Sequence, residues 1–326
     1  MEKLSFLIWR TVGKFLTYKD IMRILLVNKR IKEKIEGEIE DFFCIKPYYV
    51  YFEIQEGNIV TLNLKDFTSH VMEMPNQVFL SGSASIVVNE CVFFSGGNDR
   101  ALQIYSNQCF KYELLNSKMI SLAGMQVKKG NHKLVQLNAG VLFSIGGRIK
   151  NKCLKLCEKF NILENKWSKA PCLTIRRESC SACSFNFYLL FAFGGIRQEK
   201  IINTIEKLDR TQHELKNWEQ ISLKLNLKIR ETRNVLKVFN AGAIQICRDS
   251  ILLFGGCRGG NSISDSLIFY PYLNQISSYP KMAVGGSFYQ REVIFVKKNK
   301  IAAMDRFSTN VHMFNIDKEC WRMKKI

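Results

Sequence analysis

The amino-acid sequence predicts a mostly β protein, in which a β-propeller of six four-stranded blades follows a small module of three helices. Two observations predict this fold class. Short apolar runs and diglycines repeat about every 48 residues after residue 45, and a period of this length suits a four-stranded blade. The first 44 residues instead have apolar side chains at helical spacing and few turn residues. The predicted domains are therefore residues 1–44 and 45–326.

The predicted helical module begins with a broad apolar stripe that extends from Leu4 to Leu16. A second helix begins near Thr17, because the sequence from Thr17 to Asp20 is typical of a capping box with Asp in place of Glu. Asn28 can cap a third helix that extends to about Glu40. Three short helices are therefore expected before the repeats begin.

Each diglycine of the repeat ends an apolar run that we expect to form the second strand of a blade. Such a strand is buried on both faces between neighbouring blades, and glycine allows a backbone conformation or a close approach that a Cβ would block. The structural diglycines are Gly96 with Gly97, Gly146 with Gly147, Gly194 with Gly195, and Gly255 with Gly256.

A larger apolar residue follows thirteen to fifteen positions after the second glycine of each pair, and two similar residues extend the series to both ends of the repeat region. The six markers are Leu64, Tyr112, Phe160, Leu208, Tyr270 and Phe314. Their intervals are 48, 48, 48, 62 and 44 residues, and we attribute the long interval to an inserted loop. They predict blades at roughly 45–75, 76–123, 124–171, 172–222, 223–281 and 282–326. The first blade has no diglycine, and the sixth has Asn299-Lys300 where one is expected after residues 293–296.

The repeat resembles the kelch family, whose blade has a strand ending in Gly-Gly, a strand with an aromatic residue, and a turn that leads to Trp. Phe160 with Trp167 and Phe314 with Trp321 have this spacing. The resemblance implies a domain that binds proteins through loops at one end of the propeller, which we call the mouth.

The segments from Phe15 to Ile21 and from Leu26 to Arg30 resemble the F-box, a helical module that docks on the adaptor of cullin-RING ubiquitin ligases. Leu4, Leu16, Asp20, Ile21 and Val27 match positions of that motif, and the resemblance implies that they contact the adaptor. Ser5 replaces the usual proline, and Ile31 replaces a frequent Trp. The alternative is a helical cap over one propeller edge, or a dimerisation segment.

Residue patterns for catalysis or metal binding do not emerge from the sequence. The four histidines are scattered without metal-ligand spacing, and Cys180 with Cys183 has no second pair at zinc-finger distance. These two cysteines, and Cys153 with Cys157, are predicted to pack as small apolar residues. We therefore expect no enzymatic activity, no cofactor and no metal.

Arginine follows every diglycine within three positions, and further arginines precede the first strands of later blades. We predict that these arginines surround the mouth, where planar guanidinium groups can bind carboxylates or phosphate in an acidic or phosphorylated protein segment. The alternative is ordinary solvated loop arginine in a basic chain. The predicted partner-binding residues are Arg100, Arg148, Arg176, Arg177, Arg197, Arg230, Arg233 and Arg258.

The formal net charge of +19 also fits nucleic-acid binding, but the basic residues are spread over every repeat without a known nucleic-acid motif. Nucleic acid is therefore a disfavoured partner. No apolar run is long enough for a membrane span, and eleven dispersed cysteines are typical of a reducing compartment. We expect a cytoplasmic protein, with the nucleus as an alternative.

Together these patterns predict a substrate receptor of a cullin-RING ubiquitin ligase, with the adaptor and cullin complex and an acidic or phosphorylated protein as partners. The alternative is a kelch scaffold or cytoskeleton-associated structural protein without a ligase role.

Overall fold

The computed structural model describes residues 48–53, 58–63, 68–72, 81–88, 91–99, 104–114, 116–138, 140–210, 217–223, 237–288, 293–297, 299–306, 308 and 310–325. Within these ranges the chain consists of β-strands, turns and loops, without a helix. The predicted three-helix module over 1–44 lies outside them.

The described chain begins with a three-stranded antiparallel sheet. Its strands are β1 (Tyr48–Glu53), β2 (Asn58–Asn63) and β3 (Ser69–Met72), paired in the order β1-β2-β3. Leu62 on β2 is fully buried and belongs to the same apolar cluster as Ile294 and Val311 near the end of the chain. The first sheet therefore packs against the last blade.

Five four-stranded antiparallel sheets, blades 1 to 5, follow. Blade 1 and its hairpin contain β4 (Ala84–Val88), β5 (Cys91–Ser95), β6 (Asn98–Asp99), β7 (Ile104–Tyr105), β8 (Cys109–Glu113) and β9 (Lys118–Leu122). Blade 2 and its hairpin contain β10 (Lys133–Asn138), β11 (Val141–Ile145), β12 (Arg148–Ile149), β13 (Lys152–Cys153), β14 (Cys157–Asn161) and β15 (Lys166–Ala170). Blade 3 and its hairpin contain β16 (Ser181–Phe185), β17 (Leu189–Phe193), β18 (Ile196–Arg197), β19 (Lys200–Ile201), β20 (Ile205–Asp209) and β21 (Glu219–Ile221).

Blade 4 repeats this arrangement, and blade 5 keeps only the four long strands. Blade 4 and its hairpin contain β22 (Gly242–Cys247), β23 (Ser250–Phe254), β24 (Cys257–Arg258), β25 (Asn261–Ser262), β26 (Ser266–Tyr270) and β27 (Gln275–Tyr279). Blade 5 contains β28 (Val293–Lys297), β29 (Lys300–Met304), β30 (Asn310–Asn315) and β31 (Cys320–Lys325). In blades 1 to 4 a two-stranded hairpin separates the second long strand from the third.

The blades follow one another around a ring with their first strands innermost. The first strands β4, β10, β16, β22 and β28 contact one another in this order. Backbone N–H groups link the same inner position of successive blades: Asn131 donates to Gly82 O at 2.8 Å, Ser179 to Asn131 O at 2.9 Å, and Asn240 to Ser179 O at 2.9 Å. These hydrogen bonds fix the spacing between blades at the centre of the propeller.

The hydrophobic core lies between adjacent blades, as the repeat predicts for buried second strands and aromatic markers. Every residue of β17 and β23 is buried. Phe93 of blade 1 and Phe160 of blade 2 have ring centroids 6.5 Å apart, and Phe160 packs against Trp167 at 4.9 Å. The predicted packing role of Cys180 and Cys183 is confirmed, because both are buried. Burial raises the pKa of both thiols.

The diglycines connect each blade to the segment that enters the next. Gly146 and Gly147 have φ values of 61° and 107°, which L side chains rarely adopt. The N–H of Gly147 donates to Arg177 O at 2.9 Å, and a Cβ on Gly146 would lie 2.4 Å from the same oxygen. Only glycine fits this approach without displacing the neighbouring backbone.

The predicted number of six four-stranded blades is wrong: the described residues form five. The segment assigned to the first blade forms the three-stranded sheet β1 to β3 instead. The last blade also differs from the prediction, because residues 293–296 lie in its first strand. Its second strand is β29, which leads to Asp305 rather than to a diglycine.

The marker in blade 4 is displaced by one residue from its predicted position. Phe269 is fully buried and lies opposite Ile276, as Phe160 lies opposite Trp167. Tyr270 is only half-buried. Two adjacent aromatic residues satisfied the sequence spacing equally well, and the strand register selects the first.

Candidate protein-binding mouth

The antiparallel order of each blade places two sets of loops at one end of the propeller. The hairpins follow the second strands, and the segments between blades follow the fourth strands, so both sets leave their sheets at the same end. We define the mouth by the described parts of these hairpins, within 98–105, 148–153, 196–201 and 257–262, and of the segments that enter blades 2 to 5, within 123–132, 171–180, 237–241 and 280–288.

Neighbouring hairpins at the mouth contact one another. The Tyr105 hydroxyl of the first hairpin donates to Lys150 O of the second at 3.4 Å. Burial raises the pKa of the Cys153 thiol in the second hairpin, and the backbone of Gln198 in the third hairpin partly opposes this shift. The first three hairpins therefore form a continuous surface rather than three separate loops.

Arg148 lies half-buried at the mouth and is paired with an acidic side chain. Its Nη1 lies 3.2 Å from Glu178 Oε1, and its Nε donates to Lys150 O at 2.9 Å. Glu178 is buried and also accepts a hydrogen bond from the Asn131 side chain at 2.7 Å. Arg148 thus neutralises a buried carboxylate while its own side chain remains partly exposed.

Arg177 is not a binding residue of the mouth, because its side chain is completely buried. Nη1 donates to Gly194 O at 2.9 Å, and Nη2 donates to the Thr204 hydroxyl at 3.0 Å and to the Glu206 carboxylate. Glu206 is also fully buried. A partner at the surface cannot reach this guanidinium, so the prediction for Arg177 is corrected to a structural role.

Arg176 and Arg197 are exposed at the mouth. The two residues lie close in the backbone, because Glu178 and Ile196 exchange both of their backbone hydrogen bonds, at 3.0 and 2.9 Å. Among the described residues, none forms an ion pair with either arginine. Among the described members of the predicted set, these two side chains are the most exposed.

Arg258 is half-buried in the fourth hairpin, near an acidic side chain. Its Nη1 lies 3.5 Å from Asp265 Oδ2, and Lys281 Nζ lies 3.1 Å from Asp265 Oδ1. Asp265 therefore lies between two cations, Arg258 and Lys281, and attracts both.

Arg148 differs from Arg197 and Arg258 in its position within the hairpin. It directly follows its diglycine and pairs with Cys153, whereas Arg197 and Arg258 follow theirs by two positions and pair with Lys200 and Asn261. Successive residues of a strand point to opposite faces. Arg197 and Arg258 therefore share one face of their hairpins, and Arg148 lies on the other.

The remaining predicted contact residues lie outside the described residues. They are Arg100, Arg230 and Arg233 for the mouth, and Leu4, Leu16, Asp20, Ile21 and Val27 for the F-box-like segment.

Sequence reasoning missed two kinds of residue at this end of the propeller. Glu178 and Lys200 contribute an acidic and a basic group to the mouth, and no repeat in the sequence marks them. The buried pairs had a visible signal, because Lys129 and Arg177 lie one 48-residue period apart, as do Glu158 and Glu206. Lys129 Nζ lies 3.0 Å from Glu158 Oε2, and both side chains are buried.

The described residues contain no group of three or more His, Cys, Asp and Glu side chains arranged to hold a metal ion. In the part of the chain that the structure describes, no helix could cross a membrane.

Repeated four-stranded blades, each packed on the next, define a β-propeller. The comparison with protein families makes the assignment more specific. A model of the kelch motif matches residues 137–174, from the end of β10 through β15 and into the segment that follows blade 2. In a comparison with curated proteins, none matches the chain. The motif and the blades support a kelch-repeat propeller, a fold that is typically a noncatalytic module for protein interactions.

Proposed function

We propose that the mouth binds an acidic or phosphorylated segment of another protein. The observation that supports this most directly is the placement of Arg148, Arg176, Arg197 and Arg258 at one end of the propeller, two of them exposed. Guanidinium groups bind carboxylate and phosphate oxygens through two parallel hydrogen bonds. A partner would therefore be held by several charged contacts across adjacent hairpins.

The charges at the mouth favour a protein segment over a nucleic acid. Glu178 and Asp265 lie among the arginines and pair with Arg148 and Arg258. A nucleic-acid backbone presents a regular row of phosphates and favours an uninterrupted basic surface. An alternation of basic and acidic groups instead suits a peptide with anionic side chains at particular positions.

Charge reversal at the exposed arginines tests this proposal. Arg176→Glu with Arg197→Glu should abolish capture of proteins that the unchanged full chain retains from native lysate under the same conditions. A matched control changes Lys118, Lys166 and Lys169 to Glu, since these exposed lysines lie on the fourth strands of blades 1 and 2. Equal capture by the wild-type chain and the arginine variant would contradict binding at the mouth.

Arg148 and Arg258 require a milder substitution than charge reversal. Glu at position 148 would place a second carboxylate beside the buried Glu178, and repulsion between them could unfold the hairpin. Arg148→Gln and Arg258→Gln remove the charge but retain a hydrogen-bond donor. They should weaken capture less than the changes at Arg176 and Arg197.

We further propose that the chain acts as a substrate receptor of a cullin-RING ubiquitin ligase. This proposal is supported by the F-box-like residues Leu4, Leu16, Asp20, Ile21 and Val27. The chain would hold a protein at the mouth, while partner subunits transfer ubiquitin. A kelch scaffold without a ligase connection is the second candidate, since the kelch motif match falls within the propeller.

Co-purification of the full chain with the F-box adaptor separates the two candidates. Binding that is lost in the variant Leu16→Asp with Ile21→Asp supports the receptor. Failure of the wild-type chain to retain the adaptor contradicts it and favours the scaffold. The variant Arg176→Glu with Arg197→Glu is a control, because it should retain the adaptor and lose only the captured protein.

A further inference from the structure

The hairpin of blade 3, residues 196–201, has two faces of different character. Ile196 lies opposite Ile201, and Arg197 lies opposite Lys200. Both isoleucines are half-buried, and both cations are exposed. The apolar pair therefore anchors the hairpin, and the basic pair faces solvent.

A pair of like charges directly across a hairpin is unfavourable, because the Cβ atoms of opposed residues lie only about 5 Å apart. The corresponding outward pairs of the second and fourth hairpins avoid it: Ile149 lies opposite Lys152, and Arg258 lies opposite Asn261. No described residue forms an ion pair with Arg197 or Lys200. Blade 3 thus holds two uncompensated cations side by side.

The turn of the same hairpin is strained. Gln198 and Glu199 have φ values of 47° and 65°, which are unfavourable for residues with a Cβ. The fourth hairpin places Gly259 and Gly260 at the equivalent positions. A strained backbone that is retained although glycine would relieve it is characteristic of binding sites.

Arg176 adds a third cation to this hairpin. It is exposed on the segment that enters blade 3, two residues before Glu178, whose backbone pairs with Ile196 beside Arg197. The one acidic side chain within the hairpin is Glu199, which is exposed in the turn. Three cations and one carboxylate leave the site with an excess of positive charge.

We propose that Arg197, Lys200 and Arg176 form a site for a phosphoryl group on the bound protein segment. A phosphomonoester carries about −1.5 to −2 charges and three acceptor oxygens, so it can bind donors from three side chains. A carboxylate has two oxygens and is satisfied by a single bidentate arginine. This site rests on the proposed function of the mouth and assigns one specific ligand to its third hairpin.

The test uses the full chain and N-acetyl-phosphoserine amide, with binding measured from backbone amide chemical shifts and by calorimetry. Saturable binding with shift changes at residues 196–201 is expected. Arg197→Gln with Lys200→Gln should weaken it about tenfold or more. The control Lys166→Gln with Lys169→Gln removes the same charge from the exposed lysines of β15 and should leave affinity within about twofold.

Three outcomes would overturn the proposal: no saturable binding, equal weakening in the two variants, or equal affinity for N-acetyl-glutamate amide. Thermal unfolding of each variant verifies that the chain remains folded. Capture of native proteins distinguishes this site from the proposed function of the mouth. Capture that survives Arg197→Gln with Lys200→Gln, but not Arg176→Glu with Arg197→Glu, would leave the mouth as the binding face without the phosphoryl site.

Discussion

Blades 3 and 4 have the same backbone arrangement and fill it with opposite chemistry. Below the diglycine of blade 3 lies the buried ion pair of Arg177 and Glu206. The same positions of blade 4 hold Val238 and Leu267, which are buried and apolar. The equivalence follows from the backbone, because Gly147 donates to Arg177 O, and Gly195 donates to Val238 O.

The apolar pair of blade 4 shows that a blade can form without a charge at this position. Blade 2 has an ion pair there, formed by Lys129 and Glu158, and blade 5 has Gly286 and His312. Burying two charges is costly, and an apolar pair of similar volume is often at least as stable. We therefore expect the stability of blades 2 and 3 to be lowered by the loss of one charged partner alone, more than by the replacement of both partners with apolar residues.

Breaking the ion pair of blade 3 should give the largest effect. Glu206→Gln leaves the guanidinium of Arg177 buried without a counter-charge, and we expect a loss of about 3 kcal/mol in the free energy of unfolding. Urea denaturation measures this loss. Glu219→Gln removes a carboxylate from the exposed pair with Lys207 and should change stability by less than about 0.5 kcal/mol. A loss below about 1 kcal/mol for Glu206→Gln would contradict the expectation that buried Arg177 depends on its counter-charge.

The apolar pair of blade 4 can be transplanted into blade 3. Arg177→Val with Glu206→Leu should be more stable than either single variant by about 2 kcal/mol, since neither charge is left unpaired.

Recovery in this double variant should be incomplete. The Glu206 carboxylate accepts backbone N–H groups of Thr174 at 2.5 Å and Ile175 at 3.2 Å. Leucine leaves both donors unsatisfied, at a cost of about 1 to 3 kcal/mol. A double-mutant cycle in urea measures the coupling. Additive losses from the two single changes would show that the pair does not act as a unit.

Acid should destabilise the propeller through its neutral buried histidines, His132 and His312. His312 of blade 5 occupies the position that corresponds to Glu158 and Glu206. Burial lowers the pKa of His312, partly opposed by Asp305, and burial with the nearby Lys129 lowers the pKa of His132 well below its usual value. The unfolded chain therefore binds protons first as the pH falls. The stability from each histidine is fully present above about pH 6.5 and is lost below it, by up to about 1.4 kcal/mol per pH unit.

Thermal unfolding from pH 7.5 to 5.5 checks this expectation. The variant with His132→Gln and His312→Gln should show a shallower decline in Tm than the wild-type chain. His70→Gln is the matched control, because it removes a histidine from β3 of the first sheet. Parallel declines in all three chains would assign the acid sensitivity to other groups.

The sequence predicted the blades better than it predicted their sites, for a physical reason. The diglycines and the paired aromatic residues repeat because every blade packs on the next in the same way. Phe160 and Trp167 of blade 2, for example, pack in one apolar cluster with Phe93 of blade 1. The period also contained the buried pairs, at Lys129 with Arg177 and at Glu158 with Glu206. It did not indicate that they were buried, because charged residues in a repeat are compatible with a solvated loop.

Side-chain direction could not be predicted from spacing alone. Arg176 is exposed and Arg177 is fully buried, although they are adjacent in sequence. Arg148 and Arg197 differ by one position after their diglycines and therefore lie on opposite faces of their hairpins. The pairing of Glu178 with Ile196, which brings Arg176 toward Arg197, joins segments whose register the sequence does not specify.

The smallest effect concerns the turns of the third and fourth hairpins. Glu199→Gly should raise the free energy of unfolding by about 1 kcal/mol, because glycine adopts a positive φ without the Cβ clash. Gly260→Ala should lower it by a similar amount, since its φ is 86° and no atom outside the turn restricts a Cβ there. Glu199→Gln is the control, because it removes the charge but retains the strain.

If Glu199→Gln stabilises the chain as much as Glu199→Gly does, the cost in blade 3 is electrostatic and its turn is unstrained. If only the glycine variant is more stable, blade 3 maintains an unfavourable backbone conformation where blade 4 does not, and the two outward cations of the third hairpin are held in place at a measurable cost in folding stability.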